Sequence, residues 1–281
     1  MIYSKAKDLG RDLKASDRVS NCVPSRNMER DWTIGHAVQA RLLLPAAKIP
    51  SSLDLRESWW SIGDQMDSGS CVGWGTADGV CRWHFVRANK LPPDQRLSAR
   101  YVWMAAKETD VFTSYPSTFI ELEGTSLKAA LDIARKFGLV TEAVLPFRLP
   151  DSAGSKILEK LYRGGTSQTF FALAAQLKIA SYFNLGTNLD NWKMWLATKG
   201  PILIAVGVDA TWDNATATKG NLDIFRANTA RGGHCAARVG YTPERFIIGN
   251  SWGTGWGHEG FAYASVAYAK AAIMEAYGVT V

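Results

Sequence analysis

The sequence predicts an α+β protein in which a helical lobe precedes a β-rich lobe. Apolar segments of helical length occupy residues 72–85, 97–107 and 126–137, and strand patterns begin only after residue 168. Helices and strands that are segregated along a chain favour two packed lobes over alternating βαβ units. With 281 residues and 47% hydrophobic content, the chain can bury the core that one large domain or two such lobes require.

The N-terminal segment, residues 1–46, is polar and irregular, with a helix expected over 5–15 and an exposed linker over 45–50. Its Trp32 is expected to be buried against the rest of the chain. The net charge of +6 is concentrated here, because residues 1–50 hold nine Lys or Arg and five Asp or Glu. A basic segment on a nearly neutral body, without an RNA or DNA motif, argues against nucleic-acid binding.

Signals for membrane insertion or secretion are missing from the sequence. It contains no apolar run of about 18 residues, so we expect no transmembrane helix. Residues 1–8 have mixed charge and no apolar core of a secretory signal. The compartment therefore stays open between cytoplasmic, exported without a recognisable signal, and exported with a signal already removed.

The longest predicted helix follows Cys71 and runs to Phe85, since its apolar stretch is too long for a strand. Glycines at positions 73, 75 and 79 each oppose helix formation by about 1 kcal/mol. We therefore expect another backbone to pack closely against this helix. In the β lobe, a helix over 189–198 is followed by strands over 202–208, 236–241, 245–248 and 260–264.

Cys71 is the candidate nucleophile. A thiol attacks a carbonyl only as thiolate, so its pKa must fall from about 8.5. The N–H groups at a helix start favour an anion there, and a histidine supplies the positive partner and later protonates the leaving amine. His234, which enters a strand after two glycines, is the strongest candidate. His84 lies about 20 Å along the same helix, His36 is in the N-terminal segment, and His258 is in a glycine-rich turn.

Two further side chains complete the chemistry of a cysteine hydrolase. Asn250 can accept a hydrogen bond from the second ring nitrogen of His234 and fix its tautomer, while Trp252 shields that bond from water. Gln65 can donate to a developing oxyanion together with the Cys71 backbone N–H, a contribution of about 3–4 kcal/mol. Each residue alone is better explained as structural. Their joint occurrence in this order favours a hydrolase that needs no metal or cofactor.

Three segments closely resemble the signature blocks of papain-family cysteine peptidases: Gln65 to Cys71, Gly233 to Tyr241, and Asn250 to Gly257. The resemblance covers about residues 49 to 270. It implies a helical left lobe, a β-barrel right lobe and a catalytic cleft between them, with Cys71 facing His234. It also implies that Gln65 lies in the oxyanion hole and that Asn250 orients the histidine.

Departures from the family pattern affect specificity rather than the reaction. Val72 stands where an aromatic residue is usual, Ser68 replaces a disulfide cysteine, and Gly233 replaces an Asp or Asn before the histidine. These changes resemble the prokaryotic branch. The separation of 163 residues between Cys71 and His234 exceeds the roughly 130–150 typical of papain. An inserted loop is therefore expected, within 108–123 or 148–168.

By the same resemblance, Gly124 offers backbone hydrogen bonds to an extended substrate, and Gly232 and Cys235 border the S2 pocket. An equal alternative is that Cys235 is plain core. The candidate substrate-binding residues are thus Gly124, Gly232, Gly233, Cys235 and Trp252.

The resemblance places residues 1–46 in the position of a short pro-segment and residues 47–281 in the peptidase domain, with about 60–165 mainly helical and about 170–265 mainly β. The segment is then expected to cross the cleft as an intramolecular inhibitor; a disordered tail is the alternative. Cys22 could tether it to Cys81 or Cys235, or be free.

The leading functional hypothesis is a thiol endopeptidase that hydrolyses polypeptides through an acyl-enzyme. Two alternatives remain open. One is a narrow-specificity effector or maturation isopeptidase. The other is a catalytically silent papain fold used for binding, which the four intact chemical positions disfavour.

Overall fold

A computed structural model of the chain describes residues 13–43, 48–112, 124–148 and 171–281. The two stretches expected to hold an inserted loop, 108–123 and 148–168, lie mostly outside the described residues. So does most of the helix expected over 5–15. Where the description begins, the chain forms a single 3₁₀ turn at Ala15–Asp17.

The helical lobe is built around the segment that starts at Cys71. A π-helical turn, Ala77–Cys81, joins two α-helical pieces of this segment into one continuous helix. Helix α1 (Ile34–Gln39) belongs to the N-terminal segment and packs against the β lobe, and the helices of this lobe are α2 (Cys71–Thr76), α3 (Arg82–Arg87), α4 (Ala99–Phe112) and α5 (Leu127–Lys136). Helix α5 begins as predicted, with the Ser126 hydroxyl accepting a bond from the Ala129 N–H at 3.3 Å.

The glycines of this helix let two other elements approach its backbone. A side chain at Gly73 would collide with the Ala99 carbonyl of α4, and one at Gly75 would lie 2.5 Å from the Cys235 sulfur. A side chain at Gly79 would press on Ala237 at 3.0 Å. The close packing expected from the sequence is therefore found on both sides of the helix.

Over the described residues, the β lobe is one eight-stranded sheet accompanied by α-helices. Its strands are β1 (Leu53–Asp54), β2 (Ser181–Asn184), β3 (Ile202–Val208), β4 (Asn221–Leu222), β5 (Gly232–Tyr241), β6 (Arg245–Gly249), β7 (Phe261–Ser265) and β8 (Ile273–Thr280). The order is β2-β8-β3-β5-β6-β7-β4, with β1 on β5, and only the pair of β4 with β7 is parallel. The helices are α6 (Leu189–Thr198) and α7 (Val266–Ala272).

Both lobes have their own apolar core, as the α+β prediction requires. One core lies among α2, α4 and α5 and reaches the inner face of β5. The other is rich in tryptophan and includes Trp192, Trp195 and Trp212. Strands β3, β5 and β8 contribute side chains to both cores, so the sheet joins the two lobes.

The N-terminal segment lies along the body over its described part. Trp32 nevertheless keeps 52% of its surface exposed, so the expectation that it would be buried is wrong. It packs only at an angle against Phe183, with ring centroids 6.0 Å apart. Backbone pairing with Asn184 holds this part of the segment instead, because the Asn184 N–H donates to the Trp32 carbonyl at 2.7 Å.

Candidate active site

Cys71 is the first residue of α2 and is fully buried. Burial raises the pKa of its thiol, because a thiolate loses its hydration there. Backbone N–H groups act in the opposite direction, the largest contributions coming from Cys235 and Asn21. The sulfur therefore lies where the helix start, strand β5 and the N-terminal segment meet.

Strand β5 brings His234 to the same place, since His234 directly precedes Cys235. Its Nε2 lies 2.7 Å from Asn250 Oδ1. This oxygen also accepts from the Ser251 N–H at 2.8 Å, so Nε2 is the donor and carries the ring proton. In neutral imidazole the other nitrogen, Nδ1, is then a bare acceptor. Nδ1 is buried and has no hydrogen-bond partner among the described residues.

Two aromatic rings pack against the imidazole. Trp252 lies 5.0 Å from it between ring centroids, and Trp212 contacts it edge-on at 5.5 Å. Burial lowers the pKa of His234 from 6.5 to about 4, the Asn250 bond opposes that shift, and the positive charge of Arg18 adds to it. Both pKa shifts favour the uncharged forms, a thiol at Cys71 and a neutral imidazole at His234.

Gln65 is fully buried and its amide is held at both ends. Its Oε1 accepts from the Ser251 hydroxyl at 2.8 Å. Its Nε2 donates to the Ser68 carbonyl at 2.9 Å and to the Val19 carbonyl at 3.1 Å. A carbonyl oxygen of the N-terminal segment therefore occupies the amide that the sequence assigned to an oxyanion.

Residues 18–25, called here the leader strand, run across this site. At one end the Arg18 guanidinium pairs with Asp64 and donates to the carbonyls of Met66 and Trp252, each at 3.1 Å. At the other end the Ser25 N–H donates to Glu275 Oε1 at 2.8 Å. The Arg18 side chain is only 6% exposed.

Between these ends the leader strand meets the glycines that were predicted to bind substrate. The Cys22 N–H donates to the Gly233 carbonyl at 2.8 Å, and the Val23 N–H donates to the Thr125 carbonyl at 3.1 Å. A side chain at Gly232 would collide with the Ser20 carbonyl, and one at Gly124 would lie 2.7 Å from the Asn21 carbonyl. These glycines therefore leave room for an extended backbone.

A buried carboxylate anchors the segment further along. Asp31 pairs with Lys128 of α5 and accepts from the Tyr277 hydroxyl at 2.6 Å. Both partners belong to the body of the protein, one to each lobe.

All four cysteines are buried free thiols, and burial raises the pKa of each. The tether from Cys22 to Cys81 or Cys235 is therefore not formed in this structure, and the free state left open by the sequence is found. Cys235 belongs to the core shared with the helical lobe, while its backbone N–H points at the Cys71 sulfur.

His234 bonds Asn250, Gln65 bonds Ser251, and the Cys71 sulfur meets the N–H of the residue after His234, while the other histidines have different surroundings. His84 bonds the Pro201 carbonyl at 3.3 Å, His36 lies against the Thr33 N–H, and His258 contacts Tyr263. Sequence reasoning missed three contributors: Ser251, Trp212 and Arg18. Ser251 could have been inferred from its place in the Asn250 motif, whereas the other two carry no spacing signal.

Two features of the described ranges bear on other kinds of site. No group of three or more His, Cys, Asp or Glu side chains in them is arranged to hold a metal ion. None of their helices has the length and apolar content that crossing a bilayer requires.

The fold is shared with solved cysteine proteases. Xylellain, a cysteine protease from Xylella fastidiosa, matches with a TM-score of 0.72 and 19% identity over 98% of this chain and 99% of that one. Digestive procathepsin L2 proteinase from Tenebrio molitor larval midgut matches at 0.67 and 17% identity, over 95% and 80%. Procathepsin B S9 from Trypanosoma congolense matches at 0.65 and 16% identity, over 94% and 87%.

Sequence comparison gives the family directly. A comparison with curated protein sequences returned no match. The model of the papain family of cysteine proteases, however, matches residues 49–279, which is most of the chain. With its helical and β lobes and its resemblance to solved cysteine proteases, this chain belongs to the papain family of cysteine proteases.

Proposed function

We propose that the protein is a cysteine endopeptidase that works through a Cys71–His234 pair and an acyl-enzyme, and that residues 1–46 hold it inactive. The observation that carries the catalytic part is the state of His234. Its Nε2 donates to Asn250, while its buried Nδ1 has no hydrogen-bond partner among the described residues. The next residue of the same strand, Cys235, directs its backbone N–H at the Cys71 sulfur.

The proposed reaction begins when Nδ1 of His234 takes the thiol proton and the Cys71 thiolate attacks the carbonyl carbon of a peptide bond. The developing oxyanion is held by Gln65 Nε2 and the Cys71 backbone N–H. The imidazolium then gives its proton to the leaving amine nitrogen as the C–N bond breaks, leaving a thioester. Water attacks the thioester, His234 takes a proton from it, and the acid product leaves with the thiol restored.

Inhibition by the leader strand is proposed from what it occupies. The Val19 carbonyl uses the Gln65 amide, and the backbone at Ser20 to Val23 covers the three glycines that would receive a substrate. By covering the site the segment also excludes water from His234 and lowers its pKa, so the imidazole stays neutral and the thiolate–imidazolium pair is disfavoured. We further propose that residues 47–281 form the peptidase domain, and that Gly124, Gly232 and Gly233 bind substrate backbone once the leader strand leaves.

Two of the similar solved structures are pro-forms by name, which supports an inhibitory N-terminal segment here. The proposed substrates are polypeptides, in keeping with a family of proteases.

The test is peptide hydrolysis by the full chain, before and after the segment is displaced or cut, with Cys71→Ser and Gln65→Ala as variants. We expect Cys71→Ser to abolish turnover and Gln65→Ala to lower kcat about a hundredfold or more, because an oxyanion donor is lost. Cys81→Ser is the control, since Cys81 is a buried core thiol. Full turnover by the Cys71→Ser variant would disprove the proposal.

A further inference from the structure

A chain of buried polar contacts lies behind the face of His234 that does not meet Asn250. Trp212 packs edge-on against the imidazole with ring planes at 79°. The same tryptophan contacts Trp252 at 5.2 Å and stacks on Trp256 at 5.0 Å between centroids. Trp212 therefore forms the rear wall of the pocket in which the imidazole lies.

The orientation of Trp212 is itself fixed by hydrogen bonds. Its indole N–H donates to the Tyr268 hydroxyl at 2.9 Å, and this hydroxyl donates to Asp209 Oδ1, also at 2.9 Å. At the other edge the Trp212 carbonyl accepts from the Trp256 indole N–H at 3.1 Å. Asp209, Tyr268 and Trp212 are all fully buried.

Asp209 connects this chain to rigid backbone. It follows the last residue of β3 and precedes the 3₁₀ helix Ala210–Asn214. Its second oxygen accepts from the Arg226 backbone N–H at 2.6 Å. Strand β3 pairs with β5 at Val206 and His234, so both ends of the chain are tied to the same two strands.

We infer that Asp209, Tyr268 and Trp212 are positioning residues for His234, an inference that rests on the proposed function of the histidine. One hydrogen bond, from Nε2 to Asn250, fixes a point of the ring but leaves it free to swing about that point. Trp212 and Trp252 lie 5.2 Å from each other between ring centroids and 5.5 and 5.0 Å from the imidazole, so together they block the swing toward their side. The bonds to Tyr268 and Asp209 keep the indole in place, so the imidazole keeps one orientation while its buried Nδ1 has no hydrogen-bond partner among the described residues.

The chain is separate from the residues that bind the oxyanion or the leader strand. Gln65 is held by Ser251 and Ser68, and the anchors of the N-terminal segment are Arg18 and Asp31. Loosening Trp212 is therefore expected to alter the behaviour of His234 without removing any group that touches a substrate.

The experiment is NMR of the full-length protein in two variants, Tyr268→Phe and Trp212→Phe. The observable is solvent exchange of the His234 Nε2 proton, assigned by its loss in His234→Ala. Tyr268→Phe removes both hydroxyl bonds, and Trp212→Phe keeps a ring against His234 but cannot donate to Tyr268. We expect exchange about tenfold faster in each, the effect of losing about one buried hydrogen bond.

Tyr182→Phe is the matched control. The Tyr182 hydroxyl also donates to a carboxylate at 2.9 Å, that of Asp132, in a part of the β lobe remote from His234. A general loss of stability would affect this variant and the buried His84 signal equally, whereas a positioning role affects only His234. If Tyr268→Phe does not fold, Trp212→Phe decides.

Exchange within twofold of wild type in the folded variants, or equal acceleration in Tyr182→Phe, would overturn the inference. The readout needs no catalysis, so this result is distinct from failure of the proposed function. That failure would appear as a Cys71 thiol that reacts no faster than an ordinary thiol even in a chain that begins at Ile49.

Discussion

Arg18 gives the sharpest test of the proposed inhibition, because one side chain holds one end of the leader strand. Its guanidinium pairs with Asp64 and donates to two backbone carbonyls at 3.1 Å. Replacing it with alanine removes all three interactions and leaves the catalytic residues untouched. The leader strand should then open more often and expose Cys71.

The size of the effect follows from these contacts. Hydrogen bonds to a charged group contribute about 1.5–3 kcal/mol when buried. The pair with Asp64 is counted as small, since that carboxylate is 31% exposed and ion pairs that reach solvent contribute about 0–1 kcal/mol. Both carbonyls can be hydrated once the strand lifts, so we take a total of about 2–3 kcal/mol. At about tenfold per 1.4 kcal/mol, opening rises roughly 30- to 100-fold.

The assay is the rate at which a thiol-directed epoxysuccinyl reagent labels Cys71 in the full chain. Arg30→Ala is the matched control, because the Arg30 side chain is in the same segment but 82% exposed, with its ion pair to Glu29 at 3.9 Å. Arg18→Lys, which keeps the charge but loses the planar fork, should fall between Arg18→Ala and wild type. Equal labelling of Arg18→Ala and wild type, or equal acceleration by Arg30→Ala, would refute the reasoning.

Three further changes should have measurable effects. Acidification should open the leader strand. While the leader strand covers the site, burial lowers the pKa of His234 from 6.5 to about 4. Between pH 6.5 and pH 4, therefore, His234 binds a proton only when the leader strand is open. The covered state then loses up to about 1.4 kcal/mol per pH unit, seen as faster hydrogen exchange at the Cys22 amide. Asn250→Ala should slow Cys71 labelling about ten- to a hundredfold, because a buried ring N–H loses its acceptor at a cost of about 1–3 kcal/mol. Gly75→Ala should lower Tm by several degrees, since its side chain would meet the Cys235 sulfur and such overpacking costs about 1–3 kcal/mol.

Each of these has its own control. Exchange at Ile204, inside β3, should not respond to the same pH change, and an unchanged Cys22 amide from pH 7 to 5 would contradict the first expectation. Asn191→Ala removes another asparagine bond, to the Leu185 carbonyl at 3.2 Å, and should leave labelling unchanged. Gly255→Ala adds a side chain in open space, so a Tm loss equal to that of Gly75→Ala would remove the packing argument.

The four chemical residues could be identified from sequence because their surroundings are local. Cys71 starts an apolar helix, and Asn250 sits in a glycine-rich turn. Such residues stand in short motifs, and the chemistry requires particular residue types at their positions. Helix and strand periodicity likewise gave α5, α6 and β3 to within a residue or two.

Other features depend on contacts between distant parts of the chain and left no local pattern. Strand β8 follows α7 with no turn signal between Ala272 and Ile273, and it is recognisable only from its pairing with β2 and β3. The path of the leader strand depends on Arg18 reaching Asp64 and on Ser25 reaching Glu275. Trp212 is one aromatic residue among many until it is seen beside His234.

The most direct measurement is to identify, by mass spectrometry, which cysteine an epoxysuccinyl inhibitor labels in the full chain and in a chain that begins at Ile49. Cys81 and Cys235 serve as internal references for ordinary buried thiols. We expect rapid labelling of Cys71 alone in the shorter chain, much slower labelling in the full chain, and loss of rapid labelling in His234→Ala. Labelling of Cys71 no faster than Cys81 or Cys235 in both chains would contradict an activated nucleophile, and with it the proposed peptidase mechanism.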